Sequence, residues 1–183
     1  MKAKIIFLGL LASFTIFSCK NNESATETPK EVEQKQSMTF DVTLDIVIPS
    51  DCDLILYYKD GTNEWFDEEK AVWAGVKGNN NQQTVVFNLP EGVIPNDIRL
   101  DIGRNEFKGL QNVAVKKLTL SYLSNKFDIT EDQMAMYFKP NQYISFDPAT
   151  KLYSFKKDEK GNYDPFFESK PELYPKFAIV AGN

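Results

Sequence analysis

The sequence contains no histidine. That excludes His-based nucleophile triads, imidazole metal ligands and an imidazole pH switch. Its two cysteines, Cys19 and Cys52, allow at most one intramolecular disulfide. Arg99 and Arg104 are the only arginines, and the formal net charge is −5. An acidic chain so poor in arginine does not neutralise phosphates well, so no nucleic-acid partner is expected. No apolar run reaches the ~20 residues that a helix needs to cross a bilayer. Phosphate-cradling glycine loops and a G-x-S-x-G elbow are absent as well. With no catalytic constellation in the sequence, a non-enzyme without cofactor is expected.

What the chain does have is globular composition: 183 residues, 42% hydrophobic and 26% charged, with aromatics at 13%. The first 37 residues read differently from the rest. Lys2 and Lys4 precede an uncharged apolar stretch at 5–17, which suits the h-region of a signal peptide. The stretch runs into Ile16-Phe17-Ser18-Cys19, an aliphatic residue, two further residues of which the second is small, and a cysteine. This resembles the lipobox of bacterial lipoproteins. The resemblance implies that residues 1–18 are a signal peptide. It also implies that Cys19 becomes the first mature residue, acylated by chains of the palmitate kind, and holds the protein to the lipid bilayer. An ordinary secretory signal with an incidental cysteine is the alternative. Several acyl chains hold stably where one alone holds marginally.

Residues 20–37, KNNESATETPKEVEQKQS, carry one Val, one Ala and no aromatic. Such a segment cannot bury enough surface to offset chain ordering, so residues 19–37 are expected to be the lipidated cysteine and a flexible linker. Lys20-Asn21-Asn22-Glu23 is similar to the charged export signals on surface lipoproteins of the Bacteroidota. The implied location is the outer membrane, on either its periplasmic or its cell-surface face. Losing Lys2 and Lys4 with the signal would take the formal charge from −5 to −7. With Cys19 committed to lipid, Cys52 has no disulfide partner. Asp51 and Asp53 on either side of it disfavour a thiolate, so it reads as a small strand-end residue.

Residues 38–183 are expected to form one β-sandwich domain. Every even position from Phe40 to Ile48 is apolar, the period-2 pattern of a strand with one buried face. Further strands are expected at 54–58, 71–76 (an edge strand), 84–89, 98–102, 143–146 and 152–155, with 78–83 as a polar turn. The stretch 113–123 is apolar at odd positions Val113 and Val115 but at even positions Leu118, Leu120 and Tyr122. That slip predicts a β-bulge at Lys116-Lys117. Thr130 to Gln133 reads as a capping box that opens one short helix ending before Pro140. The spacing of Pro165, Pro171 and Pro175 predicts an irregular tail stapled down by its aromatics. The fold class is therefore mainly β: a single antiparallel sandwich, jelly-roll-like, with one short helix. Ile98-Arg99-Leu100-Asp101-Ile102-Gly103 and Val115-Lys116-Lys117-Leu118-Thr119-Leu120 are weakly similar to β-sandwich modules on carbohydrate-active proteins of the Bacteroidota. That implies a sandwich and hints at glycans.

The candidate site lies in the loop 63–69. Sugars present C–H faces that stack on aromatic rings, while carboxylates and amides bind the hydroxyls around them. Trp65, Phe66 and Trp73, with Glu64 and Asp67, are the ligand-binding candidates; the competing readings are a solvated acidic loop and core aromatics. A glycosidase would need two carboxylates at a set separation across one bond, and neighbours on a loop do not supply it. Asp41, Asp45 and Asp101 are expected to line solvent faces, and Phe40, Phe87, Phe138 and Phe155 the core. The Asp158–Asp164 stretch has Lys160 where a calcium loop needs an oxygen ligand, so it reads as a turn and no metal is expected. The expected function is that of a membrane-anchored envelope lipoprotein whose sandwich binds without catalysis, with a glycan as ligand. The alternative is a structural or accessory lipoprotein docking on another envelope protein, and a glycoside hydrolase ranks third.

Overall fold

The computed structural model describes residues 38–103 and 109–182. The stretches expected to be a signal peptide and a linker, and Cys19 between them, lie outside the described residues, as does Arg104. Eleven strands are described: β1 (Phe40–Ile48), β2 (Cys52–Lys59), β3 (Ala71–Val76), β4 (Asn79–Asn88), β5 (Asp97–Ile102), β6 (Ala114–Tyr122), β7 (Asn125–Thr130), β8 (Phe138–Pro140), β9 (Ile144–Asp147), β10 (Leu152–Phe155) and β11 (Phe166–Ser169). Two short helices, α1 (Met134–Tyr137) and α2 (Tyr174–Ala181), stand where one was expected.

The strands form a four-stranded sheet, β4-β1-β6-β7, and a five-stranded sheet, β3-β2-β5-β11-β8, with β9-β10 as a separate hairpin. Every described pairing is antiparallel. The inner faces share one core, to which β1 gives Phe40, Val42, Leu44, Ile46 and Ile48. Those are the even positions that the alternation assigned to it, and all five are fully buried. Phe87, Phe138 and Phe155 join them. The mainly β, antiparallel sandwich expected from the sequence is the observed fold.

The bulge falls where the phase slip put it. Asp45 pairs with Lys117 and Ile46 with Val115, so Lys116 is the extra residue. The chain passes between the sheets at 49–51 and again at 77–78. Gly78 makes the second crossing possible, because a Cβ there would meet the Pro49 carbonyl oxygen at 2.6 Å. Asp51 fastens the two crossings together, accepting from the Gly78 amide and the Lys77 ammonium, each at 2.8 Å.

Three expectations need correction. Residues 79–83 are not a turn but the first half of β4, an exposed edge arm whose Gln83 pairs with Ile46. Their polarity reflects exposure on both sides rather than a break in the chain. The tail is not irregular. Pro165 and Pro171 bracket β11 without entering it, and β11 lies inside the five-stranded sheet between β5 and β8. Pro175 stands in the first turn of α2, where a missing N–H costs nothing. Gly182, at φ +85°, closes that helix by donating to the Ala178 and Ile179 carbonyls. Finally, Asp101 is fully buried rather than on a solvent face. The strand β7 alternates over Lys126–Thr130, but with Phe127 and Ile129 as its only apolar residues it was not among the expected strands.

Candidate functional site

The loop between β2 and β3 is built around one ammonium group. Lys70 Nζ lies 2.6 Å from Asp60 Oδ1 and 3.3 Å from Asn63 Oδ1, and also meets the Thr62 hydroxyl. Asp60 in turn accepts from the Thr62 amide at 3.0 Å and its hydroxyl at 2.7 Å. These bonds, that from Lys70 first, hold the Asp60 carboxyl well below the usual carboxylate range. Asn63 Nδ2 donates to the Trp65 carbonyl at 2.8 Å. The backbone that carries Trp65 is thus fixed by side chains of its own loop, while its indole stands 78% exposed.

Phe66 is tied inward. Its ring lies 4.3 Å from Lys59 Nζ, which pairs with Asp97 at 3.0 Å, and Asp97 accepts from the buried Ser169 hydroxyl at 2.6 Å. Asp67 caps a 3-10 turn at Glu68–Lys70, accepting from the Glu69 and Lys70 amides at 3.1 and 3.2 Å. Glu64 is exposed. Glu68 rather than Asp67 reaches the sheet, accepting from the Tyr57 hydroxyl at 2.9 Å. The structure therefore separates the five candidates. Trp65 projects, Phe66 anchors, Asp67 caps, Glu64 is solvated, and Trp73 is on the outer face of the edge strand β3, 49% exposed.

That outer face is organised in rows. Trp73, Ile55, Asp101 and Phe166 make one row across four strands, and Ala71, Tyr57, Arg99, Glu168 and Lys139 make the next across five. Adjacent strands are about 4.8 Å apart, which sets Trp73 and Phe166 roughly 14 Å from each other. Between them the face is closed, because Ile55, Tyr57 and Asp101 are buried. Arg99 holds Asp101 through two bonds, Nε–Oδ1 at 2.7 Å and Nη2–Oδ2 at 2.8 Å. Its guanidinium also reaches Asp164 at 3.2 Å, and lies 3.8 Å from the Phe166 ring centre and 5.4 Å from that of Tyr57.

No protein-family model, curated protein or solved structure matches this chain. Its chemistry is therefore read from these side chains alone.

An exposed indole on a pinned loop offers a flat apolar surface to a sugar ring or to another protein without a large ordering cost. The Arg99 cluster, missed at the sequence level, is a buried fastening across β2, β5 and β11. Arg and Asp at i and i+2 on one strand were the available signal, since they share a face. Beyond Phe166 the face opens into a shallow depression of about 270 Å³, lined by Lys139, Pro140, Asn141, Gln142, Phe166 and Glu168. A smaller depression of about 150 Å³ lies between Glu131, Asp132 and the Phe146–Tyr153 pair. Neither is lined by Trp65 or Trp73. The Asp158 region closes on itself, with the Asp158 carboxylate accepting from the Lys160 and Asn162 amides at 3.0 and 2.7 Å, which is the turn expected there.

Proposed function

We propose that the protein is a membrane-anchored envelope lipoprotein, held through Cys19, whose β-sandwich is a non-catalytic binding module for glycans. The observation that carries the binding reading is Trp65. A large apolar ring held 78% in water on a loop with its own bonding network contributes little to the core, and this supports a binding role. Trp73, exposed on the adjoining strand, adds a second ring. Beside Trp65 in the chain, the exposed Glu64 supplies carboxylate chemistry for hydroxyl groups. In affinity gels cast with common polysaccharides, the protein is expected to be retarded by at least one, and Trp65→Ala to remove that retardation. No retardation by any of them would sink the glycan reading. The anchor is tested separately: Cys19→Ala is expected to release the chain from the membrane fraction, and its persistence there as an intact mature chain would refute lipidation.

A second reading is favoured by the absence of Trp65 and Trp73 from both depressions. A projecting indole that lines neither of the described depressions is also the form of an aromatic hot spot that inserts into a partner protein. Crosslinking in intact membranes through position 65 separates the two. A discrete protein adduct would support docking on another envelope protein.

A further inference from the structure

The helix α2 closes one end of the sandwich, and its outward side carries no charge. Tyr174 and Ala178 stand one turn apart, as do Pro175 and Ile179, and all four are exposed, Ile179 by 58%. A surface helix ordinarily places polar residues there. The one charged residue of α2, Lys176, instead lies with its ammonium 5.1 Å from the Phe127 ring centre. The patch continues beyond the helix. Asn125 donates to the Val180 carbonyl at 3.1 Å, which sets the last turn of α2 beside the turn between β6 and β7. At that turn Leu123 is 45% exposed and left-handed, at φ +53°. That conformation suits Asn or Gly and is unfavourable for a branched apolar side chain, so the turn displays leucine against its own backbone preference.

The same end receives the chain. Phe40 pairs with Tyr122, and its ring lies 6.1 Å from that of Phe177 in α2. Met38, two residues earlier, is 54% exposed. Across the sandwich, Asn96 donates to the Lys59 carbonyl just before β5 begins, and Leu89 donates to the Phe40 carbonyl just after β4 ends. The 60–70 loop with Trp65 therefore stands at this end too. Met38, Trp65, Leu123, Tyr174 and Ile179 thus all stand at the end of the sandwich that carries the first described residue.

We propose that this end is a membrane-facing foot, resting its apolar side chains in the interface of the bilayer that holds Cys19. The proposal rests on the lipoprotein reading. On the linker expected from composition, the 18 residues between Cys19 and Met38 would reach roughly 25 Å, which would keep the Met38 end of the domain close to the lipid. Those residues are too polar to cover the patch themselves. Lys126, beside Asn125, and Lys176 stand next to the apolar patch, while Glu172 before α2 and Glu64, Asp67 and Glu69 of the 60–70 loop keep this end acidic, so apolar contact and the anchor rather than charge would seat it. A patch this small binds weakly alone; the anchor supplies the effective concentration that keeps it seated.

The test uses the full lipidated chain in vesicles of phosphatidylethanolamine and phosphatidylglycerol. A nitroxide label is placed by Ile179→Cys, by Leu123→Cys and, as control, by Val86→Cys on the outer face of the four-stranded sheet. The labels at 179 and 123 are expected to become accessible to oxygen dissolved in the bilayer and protected from a water-soluble relaxant, while the label at 86 stays in water. Ile179→Asp is expected to expose the label at 123 without releasing the chain. A chain that floats with the vesicles but shows all three labels equally in water overturns the foot and leaves the anchor standing. A chain that does not float overturns the anchor and the foot with it. Dimerisation that rises with concentration and is abolished by Ile179→Asp would put a second copy on the patch and also overturn the proposal.

Discussion

Lys116 is the one residue of β6 that can be removed without changing any pairing with β1. Deleting it joins Val115 to Lys117, and these already face the adjacent residues Ile46 and Asp45. The inward set Val113, Val115, Leu118 and Leu120 then falls into one unbroken alternation, all still in the core. What is lost is the Lys116–Glu131 ion pair at 2.8 Å, whose side chains are 39% and 22% exposed, and some local twist. A pair at that exposure contributes about 0–1 kcal/mol. Deleting Thr119 three positions later has the opposite effect. Leu118 and Leu120 become neighbours, and one of these fully buried side chains must turn to water. Turning Leu120 outward costs about 1.5–3 kcal/mol, and Ser121 would enter the core in its place at about 1–3 kcal/mol more. That sum, about 2.5–6 kcal/mol, approaches at its upper end the whole stability of a domain at the low end of the usual range of about 5–15 kcal/mol. Urea unfolding followed by far-ultraviolet circular dichroism separates the cases. A loss of 1 kcal/mol moves the midpoint by roughly 0.5 M, whereas the Thr119 deletion should unfold the chain or shift the midpoint by several times as much. Equal damage from both deletions would refute the argument that Lys116 is a bulge residue without a packing role.

Phe177→Ala should cost about 3–5 kcal/mol, because the ring is 1% exposed and packs on Phe40, and the urea midpoint reads this directly. Trp65→Ala should leave that midpoint unchanged within about 0.5 kcal/mol, since its ring is mostly in water. Lys70→Met should speed amide exchange across 60–70 while sparing β2 and β3, and should return the Asp60 carboxyl toward its ordinary value, measurable by carboxyl chemical shifts against pH. Burial pushes the Tyr153 and Tyr163 hydroxyls up to about 12, from about 10 when unfolded. The folded state then keeps protons that the unfolded state releases, so this stability is complete below pH 10 and declines as pH rises from about 10 to about 12. Tyr153→Phe should flatten that decline in unfolding midpoints taken across the alkaline range; an unchanged slope would contradict it.

Much of the sheet structure was legible because its information is local. The inward face of β1 follows from a two-residue repeat, and the bulge at Lys116 from one slip in that repeat. Such patterns need no knowledge of the partner strand, because side chains alternate faces on any strand. The candidate site was legible only in part. The sequence marks Trp65 as an aromatic in a polar loop, but the Lys70 network that pins the loop joins residues up to ten positions apart. Partner choice is decided by closure of the whole sandwich. Nothing local in Phe166–Ser169 says that it will pair with β5, more than sixty residues earlier, or that Asp101 will be buried beneath Arg99 as a result. The same holds for α2. Its eight residues show a proline in the first turn and a glycine after the last, but only the packing of Phe177 on Phe40 and the Asn125–Val180 bond set it across the end where the chain enters. Sequence alone determined which residues turn inward, because that depends on a period of two. Tertiary structure decided which exposed residues stand together, because that depends on which distant strands meet.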